Sequence, residues 1–442
     1  MTMEPFKLFL QGPGERRRPP PGMDALLCLA SPDPGEISFH HNFSEMVGGG
    51  EFSAAVHAFV LMALGIWAGD KLQPRAAAPD AWTRRFNLHL PTMPVWESLA
   101  PRLADLSNFL TGDDWTFTSR RAPVELPFRR AWSHSWTPQA VALFSGGLDS
   151  LAGAIDRLEA GNRLLLVSHY DYGQLAATQQ TLAEGLFRHY GRDRLHHLMV
   201  RVQMEGPELS LRSRSLLYLA LGLAAAAAFG PDTPLIIPEN GWISLNPPLT
   251  PNRLGTYSTR TTHPYFLAKL HGLWRDAGIH NPLFNPYQGL TKGQVLAHCS
   301  NGPLLERLLP LTISCARPVA SRWQRQGAGA CGYCYPCLIR RVALHRVGWD
   351  RGEDYLLDVL AAPETPRHRT RGRDLRALLL ARRNWEDSFQ EVTARLYLGE
   401  AGSDFPSRHE QALALLQTGF QEIAQFFRDK GPGWIKDYLG AV

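Results

Sequence analysis

Cysteine is scarce in this chain, six among 442 residues, and four of the six crowd between positions 315 and 337. That usage argues against a framework of disulfides, and nothing in the chain points to export into an oxidising compartment. Long hydrophobic runs are also missing. The longest apolar stretches, 54–68 and 216–229, fall short of the roughly 20 residues needed to cross a bilayer, and the second reads as a buried core helix. The start, Met1-Thr2-Met3-Glu4-Pro5, shows no charged segment followed by an apolar one. No secretory leader is read, and the expected compartment is the cytoplasm, with no membrane partner. No internal repeat occurs. Neither charge sign dominates: 46 Lys and Arg face 41 Asp and Glu, a net charge of +5, so nucleic acid is a possible partner but not a favoured one.

What is present describes an ordinary globular protein, 44% hydrophobic and 20% charged, long enough for two or three domains. Its most informative segment is Ser145-Gly146-Gly147-Leu148-Asp149-Ser150. Apolar Val141-Ala142-Leu143-Phe144 precedes it, and helical-looking Leu151-Ala152-Gly153-Ala154-Ile155 follows. Strand, glycine turn and helix together build a cradle for pyrophosphate. The glycines let backbone N–H groups converge, Ser145 and Ser150 add hydroxyls, and the helix adds the positive end of its dipole. The lysine that a Walker A loop needs after its last glycine is missing. Residues 163–170 read as a buried strand ending in Asp171-Tyr172-Gly173-Gln174. A polar cluster at the carboxyl end of such a strand lies where open α/β sheets bind ligands.

The crowded cysteines are Cys315, Cys331, Cys334 and Cys337. C-x-x-C-x-x-C plus one upstream thiolate suits a tetrahedral Zn²⁺, and a closed four-sulfur set makes it structural. An iron–sulfur cluster on the same thiolates remains an alternative. Cys28 and Cys299 stand alone and read as small buried hydrophobes.

Residues 145–150 resemble the PP-loop of the ATP pyrophosphatases, which cleave ATP between the α- and β-phosphates. The three signals, in order over residues 141–345, resemble the 7-cyano-7-deazaguanine synthase (QueC) family. Its Cys-Gly-x-Cys-x-x-Cys-x-x-Arg is matched by Cys331, Gly332, Cys334, Cys337 and Arg340. The family's Asp-Tyr-Gly-Gln is usually followed by Arg-His; here Leu175-Ala176 stands instead. The stretch 316–330, with Arg317, Arg322 and Arg325, is longer than in the family and reads as a solvated loop or an added binding surface. Arg214 matches the arginine of a family Arg-Asn pair, with Ser215 in place of the asparagine.

The resemblance implies an α/β fold: a PP-loop, adenine nucleotide α-hydrolase-like (Rossmann-like) parallel sheet with a structural zinc site. It implies ATP and catalytic Mg²⁺ beside structural Zn²⁺. The implied catalytic residues are Asp149, Ser145 and Lys292, with Asp149 helping to hold Mg²⁺ and Lys292 meeting ATP phosphate charge. The implied nucleotide contacts are Ser145, Gly146, Gly147, Leu148, Asp149, Ser150 and Arg214. The implied contacts to a 7-deazaguanine-type acid are Asp171, Tyr172, Gln174, Glu239, Arg260, Thr262 and His263.

The family core is about half this length. Residues 1–135 read as an accessory α+β domain, 136–349 as the PP-loop domain, and 350–442 as a helical extension. The last shows helical spacing in Leu375, Leu378 and Leu379 and again in Leu413, Leu416, Phe420, Ile423, Phe426 and Phe427. Strand-like pieces fall at 7–10, 36–39 and 86–91, and a helix near 51–69. Six of 12 tryptophans fall between positions 67 and 136, at 67, 82, 96, 115, 132 and 136, and read as interface anchors or as core of the N-terminal part. Arg16-Arg17-Arg18-Pro19-Pro20-Pro21 reads as a stiff surface loop. The basic run 367–373 reads as solvated surface or a partner contact, with phosphate or RNA contact as the alternative. Trp82-Thr83-Arg84 and Phe109-Leu110-Thr111-Gly112-Asp113 resemble the QatC type of bacterial anti-phage operons, which implies a protein partner from the same operon.

Both readings share one chemistry. A carboxylate is a poor electrophile until AMP transfer gives it a stable leaving group, after which an amine attacks. The rivals are a 7-cyano-7-deazaguanine synthase using ammonia, a PP-loop tRNA-modifying enzyme, and a non-catalytic nucleotide-binding scaffold. The intact loop argues against the last.

Overall fold

The computed structural model describes residues 4–29, 39–47, 52–129, 136–208, 211–250, 260–317, 330–387 and 406–439. The strand expected at 36–39 (apart from Phe39), Trp132, Arg322 and Arg325 lie outside them. The chain forms two compact units. One gathers Met1–Ser145, Ala160–Ile237 and Thr259–Asn285; the other gathers Gly146–Glu159, Pro238–Ser258 and Pro286–Val442. These units do not follow the expected segments.

Among the described residues, the first unit holds two sheets. Strands β1 (Phe6–Gln11), β2 (Ala25–Cys28), β4 (Arg85–Thr92) and β5 (Asp114–Arg121) run parallel in the order β2-β1-β4-β5. The six-stranded sheet runs β10 (Leu283–Phe284), β9 (Leu235–Ile236), β6 (Ala140–Leu143), β7 (Leu164–Tyr170), β8 (Leu195–Met204) and β3 (Phe39–His41). All its neighbours are parallel except β3, which pairs antiparallel with β8. β6 is buried throughout and β7 at all but its last residue, the continuous apolar reading of strands covered on both faces.

The α+β expectation for the N-terminal segment is corrected by these pairings. Helix Ala54–Leu72 lies in the stretch of chain between β1 and its sheet neighbour β4, and helix Pro94–Thr111 lies between β4 and its neighbour β5. A helical crossover returns the chain in the same direction, so the strands pair parallel. Through β3 the segment also completes the larger sheet.

Helix Ala54–Leu72 is longer than the 54–68 stretch suggested. Among the described helices it alone is long and apolar enough to cross a membrane, by length and composition, yet 89% of its apolar window is buried inside the structure. It packs on β4 and on helix Arg214–Ala227 as the core helix of this unit. Trp67, Trp96 and Trp115 are core residues here, not interface anchors. Near the helix end, Asp70 receives Arg84 at 2.5 Å, and Asp113 receives Arg84 at 2.7 Å and Arg75 at 3.0 Å.

The second unit is helical. Its core joins Trp242 to Leu338, Ile339 and Val342 of helix Tyr335–Arg346, Leu375 and Leu378 of helix Arg373–Asp387, and Leu416, Phe420, Ile423 and Phe427 of helix Pro406–Lys430. The helical spacing in the C-terminal stretch is therefore a buried face, and its partners include residues long before position 350.

Candidate active site

The glycine loop leaves β6 and leads into helix Leu148–Glu159. In the first unit, Phe144 donates its N–H to Val167 at 2.7 Å and accepts the Ser168 hydroxyl at 2.6 Å. Gln179 donates to the Ser145 carbonyl at 3.3 Å and to His169 at 3.1 Å. Gly146 sits at φ 83°, a left-handed conformation that disfavours any side chain. The Ser145 side chain is exposed, while Asp149 and Ser150 are buried in the first helical turn. The Ser150 hydroxyl donates to the Gly147 carbonyl at 2.9 Å.

Asp149 is the hub of the second unit's polar cluster. Lys292 Nζ lies 2.5 Å from its Oδ1, and Asn240 Nδ2 donates to its Oδ2 at 2.6 Å. Asn240 Oδ1 caps helix Gly241–Leu245 by accepting the Ile243 N–H at 3.0 Å. That cap fixes which way the amide points, so its NH₂ must face the carboxylate. Glu239 completes the group; Asn240 Nδ2 also lies 3.3 Å from its Oε1. Burial opposes ionisation of Asp149, but the Lys292 charge and the hydrogen bonds from Glu239, Lys292 and Asn240 hold its carboxyl below the usual range. Burial and the neighbouring Asp149 charge push the Glu239 carboxyl well above that range. The two neighbouring carboxyls are thus pushed in opposite directions, Asp149 toward its charged form and Glu239 away from it.

The other expected ligand residues fall in the first unit. Arg214 opens its buried helix and reaches Asp171 at 3.4 Å, with both side chains partly exposed. Tyr172 is the N-cap of helix Gly173–Tyr190, and Gln174 lies half-buried in its first turn. Arg260 lies over the Phe109 ring at 4.3 Å and donates to the Phe109 carbonyl at 2.8 Å. Thr262 is buried, and His263 caps helix Pro264–Asp276 by accepting the Tyr265 N–H at 3.3 Å. The 260–263 segment is thus brought onto Phe109, one of the residues that suggested the QatC resemblance. Two others, Arg84 and Asp113, form the buried ion network, and Trp82 stacks under Arg75 at 4.7 Å and Arg212 at 4.6 Å.

The four cysteines form a separate cluster in the second unit, with all four sulfurs within 4.8 Å of one another. Cys334 to Cys337 is 3.4 Å, Cys331 to Cys337 is 3.9 Å, and Cys315 to Cys334 is 4.0 Å. A tetrahedron with bonds of about 2.3 Å has edges of about 3.8 Å, so the set fits one zinc ion. Backbone N–H groups of Arg317 and Cys331 point at Cys315 Sγ, at 3.3 and 3.4 Å, and that of Cys334 at Cys331 Sγ, at 3.4 Å. Such donors favour thiolates. Gly332 turns the knuckle at φ 80°, where a Cβ would strike the Leu357 carbonyl at 2.1 Å. Arg340 donates to the Thr312 hydroxyl at 2.7 Å and the Leu309 carbonyl at 3.1 Å, bracing the lead into Cys315. Cys299 is a thiol pushed up to about 12, chiefly by burial, and Cys28 is buried.

Asn240 and Gln179 did not stand out as site residues in sequence. Asn240 carried a usable signal, an asparagine between a strand end and a short helix; Gln179 carried none.

The fold and cluster define a mixed α/β protein with a parallel sheet, a glycine loop at a strand end and a four-thiolate set able to hold zinc. The chain belongs to the 7-cyano-7-deazaguanine synthase family. It is 30% identical over 232 residues to the 7-cyano-7-deazaguanine synthase of Synechococcus sp. (strain RCC307), a match covering 47% of this chain and 95% of that relative. The synthases of Parasynechococcus marenigrum (strain WH8102) and Prochlorococcus marinus (strain MIT 9303) are 27% and 28% identical, each match covering 47% of this chain and 93% of the relative. More than half of this chain thus lies outside each match. No family model matches the chain, and no solved structure matches it significantly.

Proposed function

We propose that the protein is a PP-loop ATP pyrophosphatase acting as a C–N-forming ligase: it activates the carboxylate of a 7-deazaguanine acid as an acyl adenylate and passes it to an amine. The observation that carries this reading is Asp149, at the start of the helix after the glycine loop, held by Lys292 and Asn240 beside Glu239. An ordinary strand-to-helix turn has no need of a buried lysine and a second carboxyl gathered on its first-turn aspartate.

In this reading the 145–150 backbone and Ser145 hydroxyl receive the departing pyrophosphate, and Lys292 and Arg214 meet its growing charge. Asp149 is the residue to hold Mg²⁺, which supplies Lewis-acid stabilisation of the phosphates. Asp171, Tyr172, Gln174, Glu239, Arg260, Thr262 and His263 are the proposed substrate contacts. Cys315, Cys331, Cys334 and Cys337 hold structural zinc. The reaction takes place in the cytoplasm.

The amine acceptor in this proposal belongs to a partner protein of a QatC-type anti-phage system. Support comes from the length of chain outside the family match and from the 82–84 and 109–113 strings, whose residues brace Arg212 and Arg260 in the first unit. A second reading, nitrile formation with ammonia, is favoured by the relatives' name. Incubation with ATP, 7-carboxy-7-deazaguanine and either ammonia or co-expressed operon proteins, followed by intact-mass analysis, separates the two. A mass gain on a protein supports conjugation; a free nitrile supports the second reading.

A further inference from the structure

We propose that Glu422, on helix Pro406–Lys430, is a positioning residue for the nucleotide site: it anchors the start of helix Lys292–His298 and thereby fixes where Lys292 meets Asp149. The proposal rests on the ATP-activation reading above. Thr291 caps the Lys292 helix in a capping box: its hydroxyl oxygen accepts the Gln294 N–H at 3.0 Å, and Gln294 Oε1 accepts the Thr291 N–H at 2.9 Å. The hydroxyl has one proton to give, and it goes to Glu422 Oε1 at 2.6 Å. Arg346 donates to the same oxygen at 2.9 Å. The Glu422 carboxyl is buried, only 8% exposed, so its place is set by these two donors and not by solvent. Position 293 is a glycine, where a Cβ would come within 2.8 Å of Glu422 Oε1 and 2.9 Å of Oε2.

The same stretch of helix also seats Asn240. Phe420 meets the Trp242 ring edge-on at 5.1 Å, and Gly419 lies so close beneath that ring that a Cβ would fall 2.2 Å from it. Trp242 belongs to the helix that Asn240 caps. Residues 419 and 422, three apart, share a helix face, so one face seats both elements that deliver Lys292 and Asn240 to Asp149. The space between Trp242, Thr291, Lys292, Gly419 and Glu422 is a cavity of about 10 Å³, one water at most. Truncating Glu422 would open it and free the Lys292 helix start to shift.

The test is ATP–pyrophosphate exchange by the full-length protein with magnesium–ATP and 7-carboxy-7-deazaguanine, with thermal unfolding of each variant recorded alongside. Glu422→Ala is expected to lower kcat about 100-fold, the scale of a 1 Å misplacement, with a much smaller change in the KM for ATP. Glu422→Gln keeps Oε1 as an acceptor for both donors and is expected to stay within about threefold of wild type. A role confined to folding would lower the melting temperature and leave kcat per folded site unchanged. Should Glu422→Ala be insoluble, Thr291→Val and Thr291→Ser put the same question from the other side: valine loses the donor and the rate, serine keeps both. Exchange by wild type together with an equal rate in folded Glu422→Ala or Thr291→Val overturns the positioning role alone. No exchange by wild type overturns the ATP-activation reading, and this proposal with it.

Discussion

Ile313 donates its backbone N–H to the Gly146 carbonyl at 3.0 Å, two residues before the first clustered cysteine. The thiolate cluster and the glycine loop are thereby coupled through one short segment, which Arg340 also braces. A structural metal at the cysteines should therefore steady the loop.

Purified protein is expected to carry one zinc per chain by elemental analysis. Chelation or Cys334→Ser should lower the melting temperature and weaken ATP binding in the fraction that stays folded. Iron with acid-labile sulfide after anaerobic purification would contradict the zinc assignment, and unchanged ATP affinity in folded, metal-free protein would contradict the coupling.

Asp113 accepts from both Arg84 and Arg75 where solvent is excluded. Asp113→Asn would leave buried guanidinium charge with one carboxylate fewer. A loss of about 3–5 kcal/mol in urea unfolding is expected; a loss below about 1 kcal/mol would show that the network is dispensable.

Burial, and next the Arg260 charge, holds the His263 imidazole down to about 4. Above pH 6.5 it is neutral in both folded and unfolded chains. As pH falls from 6.5 toward 4, the unfolded chain takes up a proton that the fold rejects, so stability present at neutral pH is lost across that window. The upper bound for this group is about 3 kcal/mol. Protonation at Nδ1 would also remove the lone pair that accepts the Tyr265 N–H. His263→Asn keeps a capping oxygen without titrating, so melting temperature should fall less steeply over pH 6.5 to 4. The slope should not vanish, because burial also holds His169 and His197 at about 4. An unaltered slope would show that His263 is protonated freely in the fold.

The loop, the cysteine set and the buried β6 and β7 were legible because each is written in contiguous residues with a fixed period or spacing. The parallel pairing of the N-terminal strands was not. Short strand-like pieces look alike whichever way they pair, and the direction depends on the connections between them. Asp149 and Lys292 were readable from motifs 143 residues apart, but Glu422 is defined only by a contact with Thr291 that no local pattern announces. The buried Asp70–Arg84–Asp113 network escaped notice for the same reason, since single charged residues in sequence read as surface until tertiary structure pairs them.

The most direct test of the proposed activity is ATP–pyrophosphate exchange driven by 7-carboxy-7-deazaguanine, comparing wild type with Asp149→Ala. Exchange by wild type should require the acid and magnesium, and the variant should lose it by at least about 100-fold while keeping its circular dichroism spectrum. Exchange that depends on tRNA and not on the acid, or full exchange by a folded Asp149→Ala protein, would contradict it.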